Sequence, residues 1–75
     1  LKRNREALTA YDKAIELAPN YVIAWVGRGT VRWNLKHYQE ALIAYDKAIE
    51  LNPDYTIAWT GRSDTLERLG HYDEA

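Results

Sequence analysis

Apolar residues recur at steps of three and four along most of the chain. In residues 6–17 the recurring positions are Leu8, Tyr11, Ala14 and Ile15, and the same letters return at Leu42, Tyr45, Ala48 and Ile49. This spacing places them on one face of an α-helix, and the charged residues between them form a solvated face. Segments 22–35 and 56–69 are also predicted to be helical, and no stretch alternates as a strand would. The pattern predicts an all-α fold.

Short turns separate the predicted helices. Pro19 and Pro53 follow the helices that end at residues 17 and 51, and proline cannot continue a helix. Asn20 and Asp54 come next, and their side chains can accept backbone N–H bonds at the start of the following helix. Helices joined by turns this short run antiparallel to their neighbours.

The chain repeats itself, because positions 1–41 align with positions 35–75 without an insertion. Of the 41 aligned pairs, 25 are identical. The longest run of differences joins residues 29–34 with residues 63–68, which differ at all six positions. One unit is too small to bury its own apolar face, so we expect successive units to stack.

Composition argues against several classes of function. The 75 residues carry 10 basic and 11 acidic side chains for a net charge of −1, whereas nucleic-acid binders usually cluster a basic excess. There is no Cys, and His37 and His71 lie a full repeat apart with no third metal ligand in reach. No apolar run approaches the ~20 residues that span a bilayer. We therefore expect no cofactor, metal, nucleic-acid partner or membrane partner.

The expected cellular compartment rests only on the absence of Cys. The absence of Cys fits a reducing environment, so a cytoplasmic location is the expectation. The chain begins at Leu1 rather than Met, and we expect it to be part of a longer protein. A targeting segment could lie in the remaining part.

With Val22 taken as the first residue of a unit, the chain resembles the tetratricopeptide repeat family. The matching residues are Trp25 and Trp59 in the first helices, Gly29, then Ala41, Tyr45 and Ala48 in the second helix, and the closing Pro53. The resemblance covers the whole chain. It implies helix-turn-helix units stacked as a right-handed α-solenoid, with the first helices lining the concave side of the superhelix.

Several residues depart from the family pattern. Arg28 and Arg62 replace the usual leucine, and we expect their stems to cover the core while their heads reach solvent or a carboxylate. Ser63 replaces the glycine of the last unit. The turn glycine is present as Gly70, but Lys36 stands in its place in the preceding unit, where a left-handed conformation would cost about 1–2 kcal/mol.

The register of the repeat divides the chain into three parts. Residues 1–18 are predicted to hold the second helix of a partial unit, and residues 19–53 a complete unit. Residues 54–75 are predicted to hold the first helix of a further unit and, from "HYDEA", the opening of a truncated second helix.

The resemblance also implies which side chains face the concave groove. They are Ile23, Val26, Thr30, Trp33 and Asn34 in one first helix, and Ile57, Thr60, Asp64 and Glu67 in the next, with Arg68 nearby. The helical spacing agrees, because Ile23, Val26 and Thr30 share one stripe with Trp33. Trp33 has an alternative interpretation, in which it packs against a neighbouring first helix.

The leading functional hypothesis is a protein-interaction scaffold that binds a peptide or partner helix in this groove. The resemblance excludes the acidic C-terminus of chaperones as the ligand, because the positions that grip it with Lys, Asn and Arg elsewhere in the family hold other residues here, among them Ile23, Gly27 and Gly61. We expect a more apolar peptide, or one with a basic group for Asp64 and Glu67.

Three other classes of function have less support. The unpaired helices at the two ends of the chain could stack head to tail, which would make the chain a self-assembling spacer. An RNA-binding helical repeat is disfavoured by the uninterrupted register of the repeat and by the net charge. An enzyme is not expected. Ser63, Asp64 and His71 are the residue types of a catalytic triad, but an exposed helix gives them no oxyanion pocket.

Overall fold

The computed structural model describes residues 2–74, and the side chains of residues 3–70. Four helices follow one another along the chain: α1 (Lys2–Leu17), α2 (Val22–Asn34), α3 (Tyr38–Leu51) and α4 (Thr56–Glu74). Residues 2–74 contain no strand, so the all-α prediction is confirmed. Helix α1 begins earlier than the predicted start at residue 6.

The helices stack as a repeat solenoid. Helix α1 packs against α2, α2 against α3, and α3 against α4. The two first helices, α2 and α4, also contact each other, so one layer holds α2 and α4 and the other holds α1 and α3. This arrangement leaves one face of α2 and α4 together at the surface.

Small residues bring the helices close together in the core. The buried cluster consists of Val26, Ala41, Tyr45, Ala48 and Ala58. Ala41, Ala48 and Ala58 are fully buried, and side chains of this size allow helix axes to approach closely. Partly buried aromatic side chains, including Trp25 and Trp33, pack around this cluster.

The proline turns are tied to the tryptophans that follow them. The indole Nε1 of Trp25 donates a hydrogen bond to the Pro19 carbonyl at 2.8 Å, and that of Trp59 donates to the Pro53 carbonyl at 2.6 Å. Each bond joins a turn to the first helix after it. The repeated Pro and Trp residues therefore form the same contact between turn and helix in both repeats.

The predicted caps at Asn20 and Asp54 are wrong by one position. Helix α2 is capped by Tyr21, in an extended conformation and without a side-chain bond. The Tyr21 carbonyl accepts from Ala24 N at 3.1 Å. In the second turn the side chain that bonds the backbone is Asn52, which accepts from Asp54 N at 3.1 Å. Both helices nevertheless begin at the predicted residues, Val22 and Thr56.

The turn after α2 contains a left-handed residue at the position where the repeat usually has glycine. Lys36 has a φ of 65°, and no other non-glycine residue among those described has a positive φ. Lys36 N donates to the Trp33 carbonyl and His37 N donates to the Arg32 carbonyl, both at 2.9 Å. This pair of bonds is the Schellman motif, whose left-handed position usually holds glycine.

The predicted turn at Gly70 is absent. Helix α4 continues through Gly70 to Glu74, and no described glycine has a positive φ. Continuing α4 through Gly70 keeps its backbone groups in intrahelical hydrogen bonds. The division of the chain into repeat units stays a prediction.

Candidate functional site

A cavity of about 220 Å³ lies between the first helices α2 and α4. Its lining residues are Thr30, Trp33, Asn34, Tyr45, Gly61 and Asp64. Four of these were predicted to face the groove, and they come from both first helices. Thr30 and Asp64 are equivalent positions of the two repeats, so one pair of diverged residues meets at this cavity.

The other predicted groove residues lie outside the cavity lining. Ile23 is 52% exposed and Ile57 is 59% exposed, and Thr60 and Glu67 are exposed as well. Helical spacing places them on the same faces of α2 and α4 as the cavity residues. The groove is defined as the surface formed by Ile23, Thr30, Trp33, Asn34, Ile57, Thr60, Asp64 and Glu67.

Val26 differs from its predicted role. It is 8% exposed and belongs to the same buried cluster as Ala58 of α4. The contact between α2 and α4 covers this part of the stripe. Val26 therefore supports the helix that carries the groove and does not form part of its surface.

Hydrogen bonding fixes the floor of the cavity. The Thr30 hydroxyl donates to the Val26 carbonyl at 3.1 Å, and its oxygen lies 3.0 Å from the Tyr45 hydroxyl. Either hydroxyl can be the donor of this second bond. The bond joins α2 to α3 at the base of the cavity.

Two effects raise the pKa of the Tyr45 phenol. Burial disfavours the phenolate and is the larger cause, and the negative charge of Asp64 adds to it. The hydrogen bond with Thr30 acts in the opposite direction and is weaker than burial. Tyr45 is therefore a neutral phenol at physiological pH.

Trp33 forms an aromatic wall of the cavity. Its ring packs edge-on against Tyr38, with centroids 5.9 Å apart and an interplanar angle of 73°. The Arg68 guanidinium lies 5.4 Å from the Trp33 ring centroid, within cation–π range. The Trp33 indole Nε1 is buried without a hydrogen-bond partner, unlike those of Trp25 and Trp59. Trp33 thus packs against its neighbours, as its alternative interpretation requires, and also lines the groove.

Arginines of the first helices neutralise carboxylates on the second helices. Arg28 Nε lies 3.4 Å from Asp12, and Arg62 Nε lies 2.6 Å from Asp46. The two pairs occupy equivalent positions of the repeats and confirm that the arginine heads reach a nearby carboxylate. Among the described side chains, Asp64 and Glu67 form no ion pair. The groove therefore carries free negative charge.

Tyr45 and Gly61 line the cavity although the sequence did not predict them there. A Cβ atom on Gly61 would lie 2.5 Å from the Tyr45 ring, so the ring rests directly on the backbone of α4. Tyr11 and Gly27 make the same contact one repeat earlier. The signal in the sequence was the equal spacing of the tyrosine and the glycine in both pairs.

A second cavity of about 350 Å³ lies between α2 and α3 and contains no predicted groove residue. It is lined by Trp25, Arg28, Glu40, Ile43 and Ala44. Its polar groups already have partners, because Trp25 bonds Pro19 and Arg28 pairs with Asp12. Although it is larger, it offers fewer free groups for recognition than the cavity between α2 and α4.

The described residues provide neither of two other kinds of site. No group of three or more His, Asp or Glu side chains in them is placed to hold a metal ion. None of the helices there combines the length and the apolar character that crossing a membrane requires.

Comparison with known proteins identifies the repeat. Two family models, both described as tetratricopeptide repeat, match residues 1–56 and residues 44–75. Together they cover the whole chain. No curated protein matches it.

Proposed function

Because the chain belongs to the tetratricopeptide repeat family, whose repeats generally mediate protein–protein interactions, we propose that it binds a peptide or a partner helix in its groove. Repeats of this family are typically non-catalytic scaffold modules, and the proposed role is binding alone. The ligand would lie across the exposed faces of α2 and α4.

This proposal rests on one observation: residues that differ between the two repeats line the same cavity. Residues 29–34 and 63–68 differ at every position between the repeats, yet Thr30, Trp33 and Asn34 share a cavity with Asp64. Packing residues such as Tyr11 and Tyr45 are identical in the two repeats. Six of the 16 differing pairs fall in this one block, and clustered divergence at a shared cavity is typical of a recognition surface on a repeated scaffold.

The groove favours an apolar or basic segment as its ligand. Ile23 and Ile57 are each more than half exposed and can bury a side chain of the ligand. The free carboxylates of Asp64 and Glu67 repel acidic residues. An acidic tail of the kind that chaperones present is therefore an unsuitable ligand for this groove.

A peptide-library selection tests the proposal. We expect a consensus sequence, and we expect Ile57→Ala and Asp64→Ala each to weaken the selected peptide about tenfold, which equals ~1.4 kcal/mol. Ile43→Ala and Asp54→Ala are matched controls, because both residues are exposed and lie outside the groove. No enriched peptide, or equal losses in the controls, would refute the proposal.

Self-association is a second candidate function, favoured by the free face of α4. Trp59 is 44% exposed and Leu66 is 41% exposed, whereas Trp25, the copy of Trp59, packs around the core beside α3. Residues 2–17 match residues 36–51 at 12 of 16 positions, so α1 of a second copy has most of the side chains that α3 uses against α2.

Sedimentation across a concentration series tests this second candidate. Head-to-tail stacking predicts a mass that rises continuously with concentration, because the contact is heterologous and does not close. Leu66→Glu should abolish the rise, while Ile43→Glu, at an exposed position on α3, should leave it unchanged. A monomer at millimolar concentration would exclude stacking and leave the groove as the functional surface.

A further inference from the structure

We propose that the cavity between α2 and α4 is selective for a basic side chain, an alkylammonium or alkylguanidinium group, of the bound segment. This inference rests on the proposed function, because it names the chemistry that the groove selects at one of its positions. It follows from four features of the cavity.

The one charged side chain among the lining residues of the cavity is the carboxylate of Asp64. It accepts hydrogen bonds and cannot donate. The hydroxyl oxygens of Tyr45 and Thr30 lie 3.0 Å apart and bond each other. Asn34 and the buried indole N–H of Trp33 are the other polar groups of the lining. Lys and Arg side chains supply several donors and a positive charge, which matches the carboxylate.

The aromatic wall already accommodates a cation. The Arg68 guanidinium lies over the Trp33 ring in this structure. Arg68 is exposed at the surface of α4, so its head can move aside. A basic group from a ligand can occupy the same ring face, with its alkyl stem against the indole.

The carboxylate beside this wall lacks a partner. Asp12 and Asp46 are neutralised by arginines, but Asp64 forms no ion pair with any described side chain. Its charge reaches the cavity floor, because it contributes to the raised pKa of Tyr45. A cation in the cavity would relieve that unpaired charge.

An aliphatic side chain of the ligand would fit this cavity less well. Filling the space with apolar atoms would remove water from the Asp64 carboxylate, and burying a charged group without a partner is unfavourable. The volume of about 220 Å³ admits a long side chain. A basic side chain pairs with the carboxylate and still covers the ring.

Titration with small probes, followed by NMR of the ¹⁵N-labelled chain, tests the inference without a known peptide. The probes are n-butylammonium, n-butylguanidinium and the neutral n-butylurea, which share the alkyl stem. We expect the two cations to shift the amide signals of Thr30, Asn34 and Gly61 and the indole signal of Trp33. The urea should shift them far less.

Two variants separate the cavity from general charge attraction. Asp64→Asn should reduce the cation-induced shifts about tenfold, as expected for a charge-assisted hydrogen bond. Asp54→Asn is the matched control, since Asp54 is also an exposed carboxylate without an ion pair to any described side chain, and it should leave the shifts unchanged. The inference is overturned if the urea acts like the cations, if Asp64→Asn changes nothing, or if no probe shifts the cavity signals.

The peptide-library selection distinguishes failure of this inference from failure of the proposed function. Suppose that Ile57→Ala weakens the selected peptides, but that these peptides still bind when norleucine or citrulline replaces their Lys or Arg. The groove function then stands and the cavity preference is wrong. If no peptide is enriched while the cations still bind at Asp64, the cavity preference stands without the peptide-binding function.

Discussion

The ring of Tyr45 lies against the bare backbone of Gly61, so close that a Cβ atom at position 61 would be 2.5 Å from ring carbon Cε1. This contact joins α3 to α4. It also forms the floor of the cavity, since both residues line it. The glycine is unfavourable within a helix by itself, and it is tolerated because it admits the ring.

Gly61→Ala should therefore destabilise the protein in spite of its better helix propensity. The substitution gains about 1 kcal/mol of helix propensity but forces a buried ring to move, and overpacking of this kind costs about 1–3 kcal/mol. We expect a net loss of about 1 kcal/mol in the free energy of unfolding. Urea denaturation followed by circular dichroism measures it.

Gly70→Ala is the matched control in the same helix. A Cβ atom at Gly70 meets nothing within 4 Å, so the propensity gain stands alone and should stabilise the chain by about 1 kcal/mol. Opposite signs for the two variants are the expected result. If both substitutions stabilise the chain, the Tyr45 ring does not constrain the helix as argued.

Lys36→Gly should raise the stability of the turn between α2 and α3. Lys36 has a φ of 65°, a conformation that a residue with a Cβ adopts at a cost of about 1–2 kcal/mol. Glycine removes that cost but adds freedom to the unfolded chain, so we expect a net gain of about 1 kcal/mol. Lys36→Ala keeps the strain and should give no such gain, as comparison of the two melting temperatures would reveal.

Periodicity predicted the helices and the stacking because both depend on local spacing. The fixed steps among Tyr11, Ala14 and their copies define the face of α1 and α3 that packs against neighbouring helices, and the strict repeat requires equivalent packing in each unit. The ion pairs of Arg28 and Arg62 could be anticipated for the same reason. A long cationic side chain at a core position must reach solvent or a carboxylate.

Features that depend on the neighbourhood of a residue could not be predicted in this way. Val26 shares the spacing of Thr30, but contact between α2 and α4 buries only Val26. Gly70 is the residue type that the turn requires, yet α4 continues through it to Glu74. The role of Tyr45 in the cavity depends on a contact between units, which the spacing within one helix cannot reveal.

Trp33→Phe should lower the free energy of unfolding less than the same substitution at Trp25. Both indoles are partly buried and both lie near an arginine, so the lost apolar area is similar. Trp25 also loses its 2.8 Å bond to Pro19, whereas Trp33 loses a buried N–H that has no partner. We expect Trp33→Phe to cost about 1 kcal/mol less, measured by urea denaturation. Equal costs would mean that the Trp33 N–H has a partner in solution.

Alkaline pH should destabilise the fold through Tyr45. Its pKa in the folded chain is raised above the ordinary value of 10.0, mainly by burial. As the pH rises past that ordinary value, the unfolded chain releases this proton while the folded chain retains it, so the free energy of unfolding decreases with pH. The decrease is absent at lower pH and continues until the pH passes the folded pKa.

Ultraviolet titration of the tyrosines, together with denaturation at several pH values, measures this effect. Tyr45→Phe should remove a late ionisation step and make stability less dependent on pH above about 10. Tyr21→Phe is the control, because Tyr21 is 48% exposed and its loss should leave the late step in place. Asp64→Asn should move the late step to lower pH, since the charge of Asp64 contributes to the raised pKa. If the late ionisation step persists in Tyr45→Phe, that step belongs to another residue.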